Sequence, residues 1–194
     1  MLLSGHVEEI FLYSDIEIRT MLKDIEIARR LGADGVVFGC LTADGEVDLT
    51  SMQILMEASK GLSVTFHRAF DVCRNPQKAL EEIIELGCNR ILTSGQQPTA
   101  EQGIGLLKEL QGLAAGRITL LAGCGVNENN IARIAAETGI NEFHFSARES
   151  IQSEMKFRNE VVSMGGTVHI NEYERNVTSV RRVKETVEAL YKGM

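Results

Sequence analysis

No stretch of this chain approaches the roughly 18 consecutive apolar residues that a membrane span requires. No basic segment precedes Met1-Leu2-Leu3, and that apolar start is too short for a signal peptide. The chain also lacks any excess of positive charge. Its formal net charge is -7, which argues against a nucleic-acid surface and against attraction to anionic lipid. There is no C-x-x-C pair. The four cysteines (Cys40, Cys73, Cys88, Cys124) are widely spaced and are expected to remain thiols. Low-complexity linkers and breaks in composition are missing as well, so the 194 residues are read as one domain, 1–194. The compartment to expect is the cytosol, with the nucleus also open to such a chain.

Alternation is what the chain does have. Five apolar, strand-like runs begin near Val36, Val64, Ile91, Ile118 and Phe143, spaced 25 to 28 residues apart, with helical patterns between them. That period predicts a parallel β/α array. A closed barrel needs eight such units, so the expected fold is α/β, a partial TIM (β/α)8-type barrel with five clear strands.

Local signals support the helices. Ser14-Asp15-Ile16-Glu17 and Thr99-Ala100-Glu101-Gln102 read as capping boxes, Asn75-Pro76 as an N-cap with proline in the first turn, and Asn127 as a further cap. Gly32, Gly87 and Gly139 stop three helices just before strands. A last helix is predicted from about Thr178 to Tyr191, with Val180, Val183, Val187 and Leu190 as its buried stripe. The polar stretch 148–176 is predicted to be a long loop with at most a short helix.

Function in this architecture collects at the C-terminal ends of the strands. Ser63, Thr65 and His67 share one strand face, and Glu142, His144 and Ser146 share another. Both faces are predicted to turn inward, which would bring His67 and His144 to one site. Arg68 is the candidate anion holder, and Asp71 would orient a histidine or bind a cation. The plain alternative is an Arg68–Asp71 pair that steadies the loop. Ser94 with Gly95, and Gly123 with Gly125, lie in turns before helices and are candidates to hold phosphate. Cys40, Cys73 and Cys124 follow strands on the same rim, and thiolate with imidazole suits Cu(I) or Zn(II). A small buried thiol is the commoner role.

Several runs resemble the CutC copper homeostasis family. They are Leu31-Gly-Ala-Asp-Gly-Val-Val-Phe-Gly39, Val64-Thr-Phe-His-Arg-Ala-Phe-Asp71, Arg90-Ile-Leu-Thr-Ser-Gly95, Asn141-Glu-Phe-His-Phe-Ser-Ala-Arg148 and Met155-Lys-Phe-Arg-Asn159. The likeness runs from about Phe11 to the C-terminus and is greatest to the animal members. It implies a TIM-like barrel, a cytosolic setting, and copper as the bound ion. It also implies three further N-terminal β/α units, with a strand ending in Arg-Pro-Arg-Gly-Gly-Asp. The run Gly5-His6-Val7-Glu8-Glu9-Ile10 does not match that part, so the chain reads as a shortened form, from an alternative start or splice. The copper-linked cysteines of the animal members fall in the missing strands, and Cys40, Cys73 and Cys124 match no family position. Opening a barrel exposes strand edges and apolar interior, so association into a homo-oligomer is expected.

Three readings follow. One is copper binding in homeostasis, impaired by the shortening. Another is a barrel enzyme acting on a small anionic or phosphorylated metabolite, with His67 and His144 as acid and base. The third is an inactive isoform.

Overall fold

The computed structural model describes residues 2–3, 11–159, 161–162 and 171–193. The run 5–10 lies outside them. Six strands form one parallel sheet in sequence order: β1 (Leu2–Leu3), β2 (Gly35–Phe38), β3 (Ser63–Phe66), β4 (Arg90–Thr93), β5 (Thr119–Gly123) and β6 (Glu142–His144). Strands β2 to β6 are the five expected. Between them run α1 (Asp15–Arg30, before β2), α2 (Leu49–Ala58), α3 (Pro76–Glu85), α4 (Ile104–Ala114) and α5 (Ile131–Thr138). The protein is thus an α/β fold of partial TIM-barrel type.

The expected caps account for much of the local structure. The Glu17 carboxylate accepts from both the N–H and the hydroxyl of Ser14, closing the first box. Asn75 Oδ1 accepts from the Lys78 N–H ahead of α3. Gly32, Gly87 and Gly139 all take positive φ, which L side chains adopt only with strain. Two caps act earlier than predicted. Thr99 Oγ1 accepts from the Gln102 N–H, but the helix proper begins at Ile104 after Gly103. Asn127 binds the Asn129 N–H, while Asn130 is the residue that precedes α5.

The core lies between the sheet and the helices. Phe38, Phe66, Ile91 and Leu120 are buried against Met21, Leu55, Leu80, Ile83 and Leu107. Each such side chain contributes about 1.5–3 kcal/mol on burial. On the opposite sheet face Val37, Thr65, Leu92 and Leu121 are also buried. Among the described residues strand β6 pairs with β5 alone, and it is only partly covered.

Two expectations fail beyond β6. The stretch predicted to be loop contains a β-hairpin, β7 (Arg148–Gln152) paired antiparallel with β8 (Glu174–Thr178). Its strands each hold a single aliphatic residue, Ile151 and Val177, so no hydrophobic period announces it. The last helix, α6 (Val180–Gly193), packs on α5; Thr186 is buried and Leu190 half-buried, while Val180 and Val187 are exposed. The predicted apolar stripe is therefore only half covered, and polar side chains share the buried face. Thr186 Oγ1 donates to the Arg182 carbonyl, and Arg182 pairs with Glu128 before α5.

Candidate functional site

The strand ends carry a cavity of about 500 Å³, lined by Arg68, Leu92, His144 and Arg182, by 124–127, and by 145–148. Leu92 and His144 project from β4 and β6. Between them β5 must run close, and it does so because residue 123 is glycine. A Cβ there would lie 2.6 Å from Leu92 Cδ1 and 3.3 Å from His144 Cβ. The backbone then turns through Cys124 (φ 77) and Gly125 (φ 72). Ala147, on the far wall, is also left-handed (φ 45). Two non-glycine residues in that region border one cavity, and such strain collects at functional sites.

Arg68 enters from the 3-10 helix Arg68–Val72, which follows β3 directly. Its Nε donates to Asp71 Oδ2 (2.6 Å) and its Nη2 to Ser94 Oγ (3.1 Å). The Asp71 side chain is only 5% exposed, so it requires partners. It has them: Thr93 Oγ1 (2.6 Å), Ser94 N (2.9 and 3.1 Å) and Gln96 N (3.2 Å), with the one Ser94 hydroxyl proton shared between Asp71 Oδ2 (3.0 Å) and the Gln97 carbonyl (2.6 Å). The Gly95 N–H donates to Thr93 Oγ1. The amides of the Ser94–Gly95 turn, expected to hold phosphate, are therefore committed to the protein's own acceptors. Gly125 lines the cavity, and Gly123 stands at its edge.

His67 and His144 take different environments. His144 is exposed and lines the cavity. His67 is buried, and its ring lies 4.7 Å from that of Phe11 and 6.2 Å from that of Phe66. Its Nδ1 accepts from the Ala69 N–H at 3.2 Å, capping the 3-10 turn. Burial pushes its pKa down to about 4, so the ring is neutral at pH 7. His67 is absent from the cavity lining. It is buried beside Phe11 and Phe66, a surrounding that strand alternation does not specify.

The thiols divide in the same way. Cys40, Cys73 and Cys88 are buried, and burial pushes them up to about 12, 11 and 12. Cys73 Sγ accepts from Gln96 Nε2. Cys124 is half-buried, lines the cavity and donates to the Pro98 carbonyl at 3.1 Å. Among the described residues no three His, Cys, Asp or Glu side chains cluster as a metal site requires. Cys124 and His144 are the soft donors that line the cavity.

Two cavity residues were not foreseen as site residues. Arg148 begins the hairpin, and among the described residues its side chain has no ion-pair or hydrogen-bond partner. Arg182 comes from α6 and pairs with Glu128 (3.0 and 3.1 Å), holding that carboxyl below its usual range. Arg148 had a signal, as the last residue of the run 141–148. Arg182 had none, because its partner lies 54 residues away.

Comparison with known proteins accords with this layout. A protein of Bacteroides thetaiotaomicron designated family protein CutC is 78% identical over 180 residues, 93% of this chain and 72% of that protein. A Bacteroides fragilis relative with the same designation is 74% identical over the same shares. Both are bacterial, whereas likeness to animal members was expected. The crystal structure of a Streptococcus agalactiae protein, provisionally designated copper homeostasis protein CutC, superposes with a TM-score of 0.71. It is 33% identical, over 73% of this chain and 70% of that one. QR15, an aldolase, shares the fold alone (TM-score 0.56, 19% identity, 73% and 65% covered). The CutC family model matches residues 7–149, from before α1 to the second residue of the hairpin, and the chain belongs to the CutC family.

Proposed function

We propose that this chain serves copper homeostasis in the cytosol, and does so by binding a small anionic or phosphorylated ligand in the strand-end cavity. The designation of the Streptococcus agalactiae relative supports the first part. One observation carries the second: Arg68, Arg148 and His144 line a single cavity of about 500 Å³. Arg68 and Arg182 are each balanced by a carboxylate, which among the described residues leaves Arg148 as the uncompensated arginine of the cavity. An anion would complete that balance, and His144 stands on the same wall to exchange a proton with it. His67 stays neutral and supports the turn that carries Arg68.

The test is titration with inorganic phosphate, followed through the His144 imidazole resonances. Saturable shifts are expected, with Arg148→Ala weakening the affinity about tenfold, as loss of a charge-assisted hydrogen bond would. Absence of any shift sinks the anion reading.

A second reading is direct capture of copper as cargo. It is favoured by Cys124 and His144 lining that cavity, since thiolate and imidazole suit Cu(I). Competition against a Cu(I) chelator tests it. Stoichiometric uptake that is lost in both Cys124→Ala and His144→Ala supports it. Uptake that persists in those variants, or is absent from the parent, removes it. A chain that takes neither ligand fits the inactive form.

A further inference from the structure

Arginine offers five N–H donors in a flat fork, and which edge faces a ligand depends on what holds the others. In Arg68 the side edge is taken: Nε donates to Asp71 Oδ2 and Nη2 to Ser94 Oγ. Among the described residues the remaining three N–H groups, two on Nη1 and one on Nη2, have no acceptor. One N–H from each Nη forms the end edge of the fork, the second Nη1 N–H points back toward Cδ, and the residue lines the cavity. The Arg68 side chain is 42% exposed while Asp71 is 5% exposed, so one partner is open and the other is fixed.

Asp71 is itself immobilised. Thr93 Oγ1, Ser94 N and Gln96 N hold its two oxygens from the end of β4. Ser94 is immobilised too, since its Oγ lies 2.6 Å from the Gln97 carbonyl. The loop behind them is closely backed by Gly103. A Cβ on Gly103 would fall 1.9 Å from the Ser94 carbonyl oxygen.

Building on the anion reading above, we infer that Asp71 is a positioning residue, which locks Arg68 side-on and presents its end edge to an oxyanion with two coplanar oxygens. The ligand class is a phosphate or carboxylate gripped by two parallel N–H···O bonds. Holding the fork beforehand removes the cost of ordering a long, flexible side chain when the ligand arrives. The carboxylate is a positioning group and no general base: its oxygens are saturated with donors and buried beneath the arginine.

The test uses inorganic phosphate and the whole chain, reading affinity together with the Arg68 Nε–H resonance. In the parent protein that proton, held by Asp71, is expected to exchange slowly and to shift on phosphate binding. In Asp71→Asn the signal should be lost and the phosphate Kd should rise about tenfold. A merely structural Asp71 would lower the melting temperature but leave the affinity of the folded protein unchanged, and that result overturns the inference. If Asp71→Asn does not fold, Ser94→Ala decides. It removes the Nη2 acceptor and the hydroxyl contact to Asp71 Oδ2 but leaves the Ser94 amide on Asp71, and should weaken phosphate binding about threefold; unchanged binding overturns the inference. A parent protein blind to phosphate overturns the anion reading before any variant is made, and the positioning role falls with it.

Discussion

Arg90 reaches across β5 to Glu142, with Nε 2.6 Å from Oε2 and Nη2 3.3 Å from Oε1. The pair ties β4 to β6 on the face that also carries Leu92 and His144, at the opposite end of the strands. It therefore braces the edge strand on which His144 stands. Both side chains are about a third exposed (36% and 37%), so solvent screens the attraction. A double-mutant cycle with Arg90→Ala and Glu142→Ala is expected to give a coupling of about 0.5–1 kcal/mol. Denaturant unfolding measures it, and the coupling should shrink in 1 M salt, roughly where the screening length falls to 3 Å. A coupling indifferent to salt would refute the account.

His67 should make stability depend on pH. Its folded pKa is about 4 against an ordinary 6.5, so between those values the unfolded chain binds more protons. Stability then rises with pH across that window and is lost as pH falls from 6.5 through 4. The contribution is about 3 kcal/mol at full extent, by about 1.4 kcal/mol per pH unit. Urea unfolding at pH 7 and pH 4.5 should show a steep loss in the parent and a shallower one in His67→Gln. Equal slopes would mean that the ring is charged, or exposed, in the folded protein.

The thiols should react in a set order. Burial keeps Cys40, Cys73 and Cys88 protonated at pH 8, while Cys124 faces the cavity. A thiol reagent on the native protein is expected to mark Cys124 first, with the other three reacting only in denaturant. Peptide mass spectrometry reads the order, and early modification of Cys40 or Cys88 would contradict the described burial.

Gly103→Ala should be costly because the obstacle is backbone. The new Cβ would sit 1.9 Å from the Ser94 carbonyl oxygen, and neither side can rotate away. A loss of about 3 kcal/mol is expected from such overpacking. Heteronuclear NMR should place the largest shifts at the Ser94 to Gln97 turn. A variant as stable as the parent would show that this loop has slack.

Much of the helix and strand order was open to reading because its causes are local. The Ser14–Glu17 box, the Asn75 cap and the stop at Gly32 each act within four residues, and the apolar runs at Val36, Val64 and Ile91 mark strands covered on both faces. The hairpin escaped because Arg148–Gln152 and Glu174–Thr178 carry no apolar period and are partnered mainly with each other. The site was readable in part: Arg68, Asp71, His144 and Gly125 were expected near the rim, and the alternative of an Arg68–Asp71 pair was already in view. That Asp71 rather than a ligand fills the Ser94 turn was beyond reach, since turn amides accept any anion and the sequence does not say which arrives.

By itself the sequence determined the alternation of strands and helices, the sites of most caps, and membership of a family, because periodicity, caps and long matching runs are properties of neighbouring residues. Only the tertiary structure decided that His67 is buried beside Phe11, that Arg148 and Arg182 join Arg68 at one cavity, and that Asp71 binds the β4 turn. Those outcomes depend on side chains meeting across 22 to 54 residues of chain, where packing and the cost of burying an unpartnered charge choose among contacts that the local pattern leaves equal.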